Sequence, residues 1–336
     1  MKVLVTGGGG FLGRMIVELL ISRGDRVRVL ARNRYPEVES LGAESLLGDI
    51  RGIDDCSAAC MGMDAVFHVA ALAGIWGDAQ VFHAINVLGT RNIVEGCKRR
   101  GVPKLIYTSS PSVVFDMKDE CGITEKTPYP ERFYNIYSST KALAEKLVLN
   151  SSGRDGLLAC AIRPHLIWGP RDNHLLPRLI QRARSGKLRI VGRGENQVDL
   201  TYVDNAAIAH LLASDAMSAK RVSGEAYFIA DGKPVVLWKW INEFLRKLGL
   251  PPVTKNVSSR MAYVAGAGCE TAFWLLRKKE EPPMTRFLAK ALSCSHYYDT
   301  SKARRDFGYR PIVDNEEGLR RTVDYFKANM PPEDRR

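Results

Sequence analysis

The chain opens with a short apolar run, "KVLVT" at 2–6, followed at once by four consecutive glycines, Gly7 to Gly10. "FLGRMIVELLISRG" comes next with helical periodicity, and "RVRVL" at 26–30 reads as a second buried strand. Gly7, Gly10 and Gly13 keep a three-residue rhythm through the turn. No other feature constrains the fold as strongly. Two short strands joined by a helix form a parallel crossover unit, and parallel crossovers are buried on both faces. Glycine lets the backbone turn sharply, and the helix N-terminus beyond it offers free N–H groups to an anion such as a pyrophosphate. A plain glycine loop is the alternative, and the order of elements around the glycines argues against it.

The pattern continues. "LLGDI" places Asp49 and Ile50 after a third strand, and "DAVFHVAALAG" carries a fourth into the small residues Ala70 and Ala71. "PKLIYTSS" is a fifth strand ending in Thr108, Ser109 and Ser110. Strands alternating with helices predict an α/β fold, a doubly wound parallel sheet with its site at the carboxyl ends of the strands. The second strand ends in Ala31-Arg32-Asn33-Arg34. An acidic residue there would suit a free ribose 2′-hydroxyl, whereas arginine accommodates a 2′-phosphate, so Arg32 marks NADP; a solvated surface arginine is the other reading. In "IYSSTKALAEK", Tyr137 and Lys141 stand four residues apart, on one face of a helix.

Bulk properties narrow the partners. The chain has 336 residues, 45% hydrophobic and 26% charged, with a formal net charge of +12. The excess favours anionic substrates, phosphates or a membrane surface, and with no long basic run a nucleic-acid partner is not expected. Seven cysteines, at 56, 60, 97, 121, 160, 269 and 294, include no Cys-x-x-Cys, which predicts reduced thiols in a cytoplasmic setting. No two histidines have metal-ligand spacing, and no metal site is expected. The apolar stretch 261–276 is shorter than a bilayer span and contains Glu270, which suggests a buried or membrane-touching helix.

Taken together, "TGGGGFLG", "GDI", "HVAALAG", "YTSS", "YSSTK" and "IRPHLIWGPRDN" resemble the extended short-chain dehydrogenase/reductase family over nearly the whole chain. The resemblance implies a Rossmann domain with Ser110, Tyr137 and Lys141 as the catalytic three. It implies cofactor contacts from Gly7, Gly10, Phe11, Leu12, Gly13, Arg32, Asp49, Ile50, Ala70, Ala71, Tyr137, Lys141 and Pro164. Tyr137 would deliver a proton to a carbonyl oxygen as hydride reaches its carbon, and Lys141 would shift the phenol toward a working range. Asn86 would help order the site, or simply start a helix. Pro111 and Ser112 stand where sugar-nucleotide dehydratases carry an acidic pair, which sets that branch aside; epimerases stay open, as does a non-catalytic NADP(H)-binding scaffold.

The C-terminal half, "IRPHLIWGPRDNHLLPRLIQRARSGKLRIVGRGENQVDLTYVDNAA", resembles the 3β-hydroxysteroid dehydrogenase-like branch, and within it the bacterial 2-alkyl-3-oxoalkanoate reductases of long-chain olefin synthesis more than the sterol-4α-carboxylate 3-dehydrogenases. One departure is Ser110, where the resemblance implies threonine; a hydroxyl is kept either way. A dinucleotide-binding domain is expected over 1–163, with a strand near 225–230 returning to its sheet. A smaller, mostly helical substrate domain is expected over 164–330. Within it, 257–292 reads as two apolar helices joined at "KKEEPP", forming a lid or an ordinary core hairpin. Trp76 is a candidate pocket wall, and Arg171, His174 or Arg178 a candidate partner for a substrate carboxylate; His165 and His174 would equally suit ordinary loop positions. The expected partners are a lipid-like carboxylate substrate, a second copy of the chain, a larger biosynthetic assembly and the surface of a membrane.

Overall fold

The computed structural model describes residues 1–329. Seven parallel strands form the central sheet: β1 (Lys2–Thr6), β2 (Arg26–Ala31), β3 (Glu44–Leu47), β4 (Ala65–His68), β5 (Lys104–Thr108), β6 (Leu158–Pro164) and β7 (Ala226–Ile229). Their order is β7-β6-β5-β4-β1-β2-β3. The chain reverses its winding between β1 and β4, which opens a crevice at their carboxyl ends.

The alternation of side chains explains why these strands are apolar throughout. Val3 and Val5 enter one core cluster while Leu4 enters another on the opposite face. In β6, Cys160 and Ile162 likewise face the first cluster while Ala159 and Ala161 face the second. With both faces covered, neither set of side chains meets water. One cover is built by α1 (Phe11–Ser22). The other is built by α2 (Ile53–Cys60), α3 (Gly89–Arg100) and α4 (Ile136–Ser151). A further helix, α5 (Val203–Ala216), packs on α1, so more than a strand returns to the sheet from the C-terminal half.

The rest of that half has its own core around Trp168, Trp238, Trp240 and Phe244. It is not wholly helical. The strands Gln197–Val198, Val235–Val236 and His296–Tyr298 form a small sheet together with Glu120–Ile123. Two helices, α6 (Ser259–Leu275) and α7 (Arg286–Ala291), make the predicted hairpin. No helix among the described residues is long and apolar enough to cross a membrane.

Candidate active site

The glycine turn is tight for steric reasons. Gly7 has φ +72°, and a Cβ there would lie 2.8 Å from the backbone nitrogen of Ala70. A Cβ on Gly13 would lie 2.1 Å from the carbonyl oxygen of Gly7. Both positions exclude side chains, which brings the end of β1 against the loop after β4 and seats α1 on the turn. Thr6 fixes that loop: its hydroxyl bonds Nδ1 of the buried His68 at 2.7 Å and accepts from the Ala70 N–H at 3.2 Å. Gly10 caps α1 with no side-chain acceptor, and Phe11, Leu12 and Gly13 of the first turn line an open cavity. The positive end of a 12-residue helix therefore faces that cavity without a protein anion to meet it. This arrangement fits a dinucleotide pyrophosphate.

The cavity measures about 520 Å³ and gathers the sequence-predicted residues. Gly7, Gly10, Phe11, Leu12, Gly13, Arg32, Asp49, Ile50, Ala70, Ala71, Ser110, Tyr137, Lys141 and Pro164 all line it. Arg32 is exposed and, among the described residues, makes no ion pair. Asp49 is already held: Arg51 bonds its carboxylate from Nε at 3.0 Å and from Nη2 at 2.6 Å, and this pairing lowers its pKa. Sequence reasoning missed Tyr35, which also lines the cavity; its ring lies so close to Gly9 that a Cβ there would meet it at 2.4 Å. Nothing local in "RNRYPE" signals that contact.

At the far end, α4 presents Tyr137 and Lys141 one turn apart, as expected. Asn135 caps the helix, its side chain accepting from the Ser138 N–H at 2.7 Å, which leaves Tyr137 in the first turn near the positive helix end. Ser110 is fixed as the cap of a short 3₁₀ turn, its hydroxyl accepting from the Ser112 N–H at 3.2 Å. Asn86 lies in a π-helical turn, His83–Leu88, and joins two walls of the site. Its side chain accepts from the Leu72 N–H at 2.7 Å and donates to the Leu72 carbonyl and to the Thr140 hydroxyl, each at 3.1 Å.

One expectation is corrected. Lys141 does not lower the phenol in the free protein. Burial pushes Tyr137 up, and the neighbouring Ser110 hydroxyl offsets this in part. Burial also brings Lys141 down to about 7, with Glu145 acting the other way. Its Nζ donates to the Thr108 carbonyl and sits 4.3 Å from the centre of the Tyr107 ring. Desolvation penalises both charged forms here and is the largest cause of each shift.

The carboxylate candidates are also revised. Arg171 is bound to Glu18 through both terminal guanidinium nitrogens, and Arg178 likewise to Glu281. Each is neutralised by a carboxylate distant in sequence. His174 lines the cavity, whereas His165 sits beside His296, Nε2 to Nδ1 at 2.7 Å. Trp76 is not a cavity wall; its indole donates to the Lys278 carbonyl at 3.3 Å. No residue of 257–292 lines this cavity, and Trp274, Leu275 and Leu276 face solvent. Within that segment Tyr263 and Phe287 pack with Phe115, Met117 and Cys294, while Ala262 and Ala289 are buried in the core around Trp238.

A nucleotide cleft with a buried lysine one turn from a tyrosine matches a known design. The 3-beta hydroxysteroid dehydrogenase/isomerase family matches residues 4–258. The chain belongs to this family. It is an oxidoreductase of the extended short-chain dehydrogenase/reductase type, built for a nicotinamide dinucleotide. It is 48% identical to a 2-alkyl-3-oxoalkanoate reductase of Shewanella oneidensis, over 94% of this chain and 84% of that protein. A 2-alkyl-3-oxoalkanoate reductase of Stenotrophomonas maltophilia is 46% identical, over 96% of this chain and 98% of its own. Among solved structures, the dTDP-glucose 4,6-dehydratase DesIV of Streptomyces venezuelae, with NAD bound, superposes with a TM-score of 0.75 at 25% identity, covering 98% of each chain.

Proposed function

We propose that this protein reduces the 3-oxo group of a 2-alkyl-3-oxoalkanoate to the 3-hydroxy acid, using NADPH. The observation that carries the reading is the joint placement of Ser110, Tyr137 and Lys141 on the wall of the cleft that holds the glycine turn. The substrate class rests on the two reductases at 46% and 48% identity. The cofactor, when bound, supplies hydride to the carbonyl carbon; the remaining work belongs to the chain. Ser110 hydrogen-bonds the carbonyl oxygen as negative charge grows there. Tyr137 gives that oxygen its proton, which the phenol holds at neutral pH. Lys141, anchored on the Thr108 carbonyl, would help hold the dinucleotide and carries a proton that burial has loosened.

Arg32 supports the choice of NADPH, because it is an uncommitted cation at the end of β2 where a 2′-phosphate would lie. The likeness to two 2-alkyl-3-oxoalkanoate reductases supports an alkyl-bearing acyl body. The reading includes a cytoplasmic homodimer serving olefin synthesis within a larger assembly. A screen of NADPH oxidation with long-chain β-keto acids, 3-ketosteroids and UDP-sugars tests it. A steroid or UDP-sugar turned over faster than every β-keto acid would overturn the substrate; sedimentation as a monomer would overturn the dimer.

A further inference from the structure

Helix α6 has two apolar faces and only one of them is used. Its inner face is clamped to α7. Ala262 and Gly266 are its buried residues, and a Cβ on Gly266 would lie 2.6 Å from the backbone carbon of Thr285. Glu270 completes the clamp, accepting from the Arg286 backbone at 2.7 Å and from its Nε at 2.6 Å. The outer face carries Met261, Val264, Ala265, Ala272, Leu275 and, just past the helix end, Leu276. At 3.6 residues per turn these fall within an arc of about 120°. That arc is open to solvent: Met261, Val264, Leu275 and Leu276 are 63–67% exposed. Thr271, beside the Val264 edge, directs its hydroxyl to the Ala267 carbonyl at 2.9 Å. A helix that merely faced water would carry polar side chains on this arc.

Charge identifies the occupant. Arg260 stands at one end of the stripe, and Arg277, Lys278 and Lys279 at the other; of the acids between 260 and 281, Glu270 is bound to Arg286 and Glu281 to Arg178, which leaves Glu280 against the four cations. Among the described residues, Arg260, Arg277 and Lys279 make no ion pair. A second copy is disfavoured on this ground. Both ends are basic, so pairing two stripes in either direction sets cation against cation. An apolar stripe bounded by unpaired cations suits the interface of a negatively charged bilayer.

We propose that the outer face of α6 docks this protein on anionic phospholipid membranes, lying in the plane of the headgroups. The stripe would sink to the acyl boundary, with Arg260 and the Arg277–Lys279 cluster at phosphate level. Docking here leaves the nucleotide cleft free, because no residue of α6 lines it. The inference does not depend on the substrate assigned above.

The test is vesicle sedimentation of the full chain. Vesicles of phosphatidylcholine alone are compared with vesicles containing about one-third phosphatidylglycerol. The protein should pellet with the anionic vesicles and be released as salt is raised. Val264→Asp with Leu275→Asp should lower the bound fraction at least about tenfold, because two charges would enter the apolar layer. Arg277→Glu with Lys279→Glu should weaken binding at least about 25-fold, from roughly fivefold for each cation lost. Both positions are exposed, and circular dichroism checks that the variants fold. Failure to pellet with anionic vesicles overturns the proposal, as does equal pelleting by the aspartate variants. Self-association abolished by those same substitutions would assign the face to a second copy, and would overturn it too.

Discussion

Lys141 makes a buried charge measurable. It is 2% exposed, and burial lowers its pKa from the ordinary 10.5 to about 7. The difference of ~3.5 units, at 1.36 kcal/mol per unit, bounds the cost of folding with a charged Lys141 at roughly 5 kcal/mol. Replacing it with methionine, of similar length and no charge, removes that cost. The replacement also deprives the Thr108 carbonyl of its donor and removes the contact with the Tyr107 ring. Those losses return about 2 kcal/mol. Lys141→Met should therefore be about 3 kcal/mol more stable than the parent near pH 6. The folded pKa lies below the unfolded one, so the unfolded chain binds more protons between about pH 7 and 10.5. The parent gains stability as pH rises through that window, while the variant, relative to it, does not. Its advantage should shrink with rising pH and vanish or reverse by about pH 10. Urea denaturation of both proteins without cofactor, at several pH values, measures the gap. A gap that stays constant, or widens toward alkaline pH, would refute the claim that desolvation dominates at Lys141. The variant should also lose turnover, as expected where function holds a group in an unfavourable place.

Tyr137→Phe removes one oxygen; kcat should fall at least about 100-fold with cofactor binding retained, and undiminished turnover would take Tyr137 out of the mechanism. Arg32→Ala should weaken NADPH about 10- to 100-fold more than NADH in fluorescence titrations, one charge-assisted contact being lost; equal weakening would show that Arg32 does not select. With β-keto acids of increasing length, kcat/KM should climb close to fourfold per methylene, about 0.8 kcal/mol each, and then level off. Leu276→Asp should leave that climb intact, since Leu276 faces solvent; a flattened climb would place the acyl chain against that side chain.

The sequence alone determined what short-range geometry controls. Strand, glycine turn and helix are local patterns, and a glycine whose Cβ would strike backbone reads the same in any context that keeps the turn, so Gly7 and Gly13 were legible. Residues at the ends of consecutive parallel strands must meet on one edge of the sheet, which is why Arg32, Asp49, Ala70, Ser110 and Pro164 converge on one cleft. Tyr137 and Lys141 share a face because four residues make one helical turn. Tertiary structure alone decided which charges remain available and which apolar faces are covered. Arg171 looked free for a carboxylate until folding brought Glu18 to it across 153 positions, and Arg178 met Glu281 across 103. The phenol of Tyr137 looked acidified by its lysine until burial was known, because a desolvation penalty depends on the whole surround and not on spacing. Apolar periodicity showed that α6 has apolar faces but not which one would find a partner; only packing against Thr285 and Arg286 turned Gly266 inward and left Leu275 and Leu276 outside.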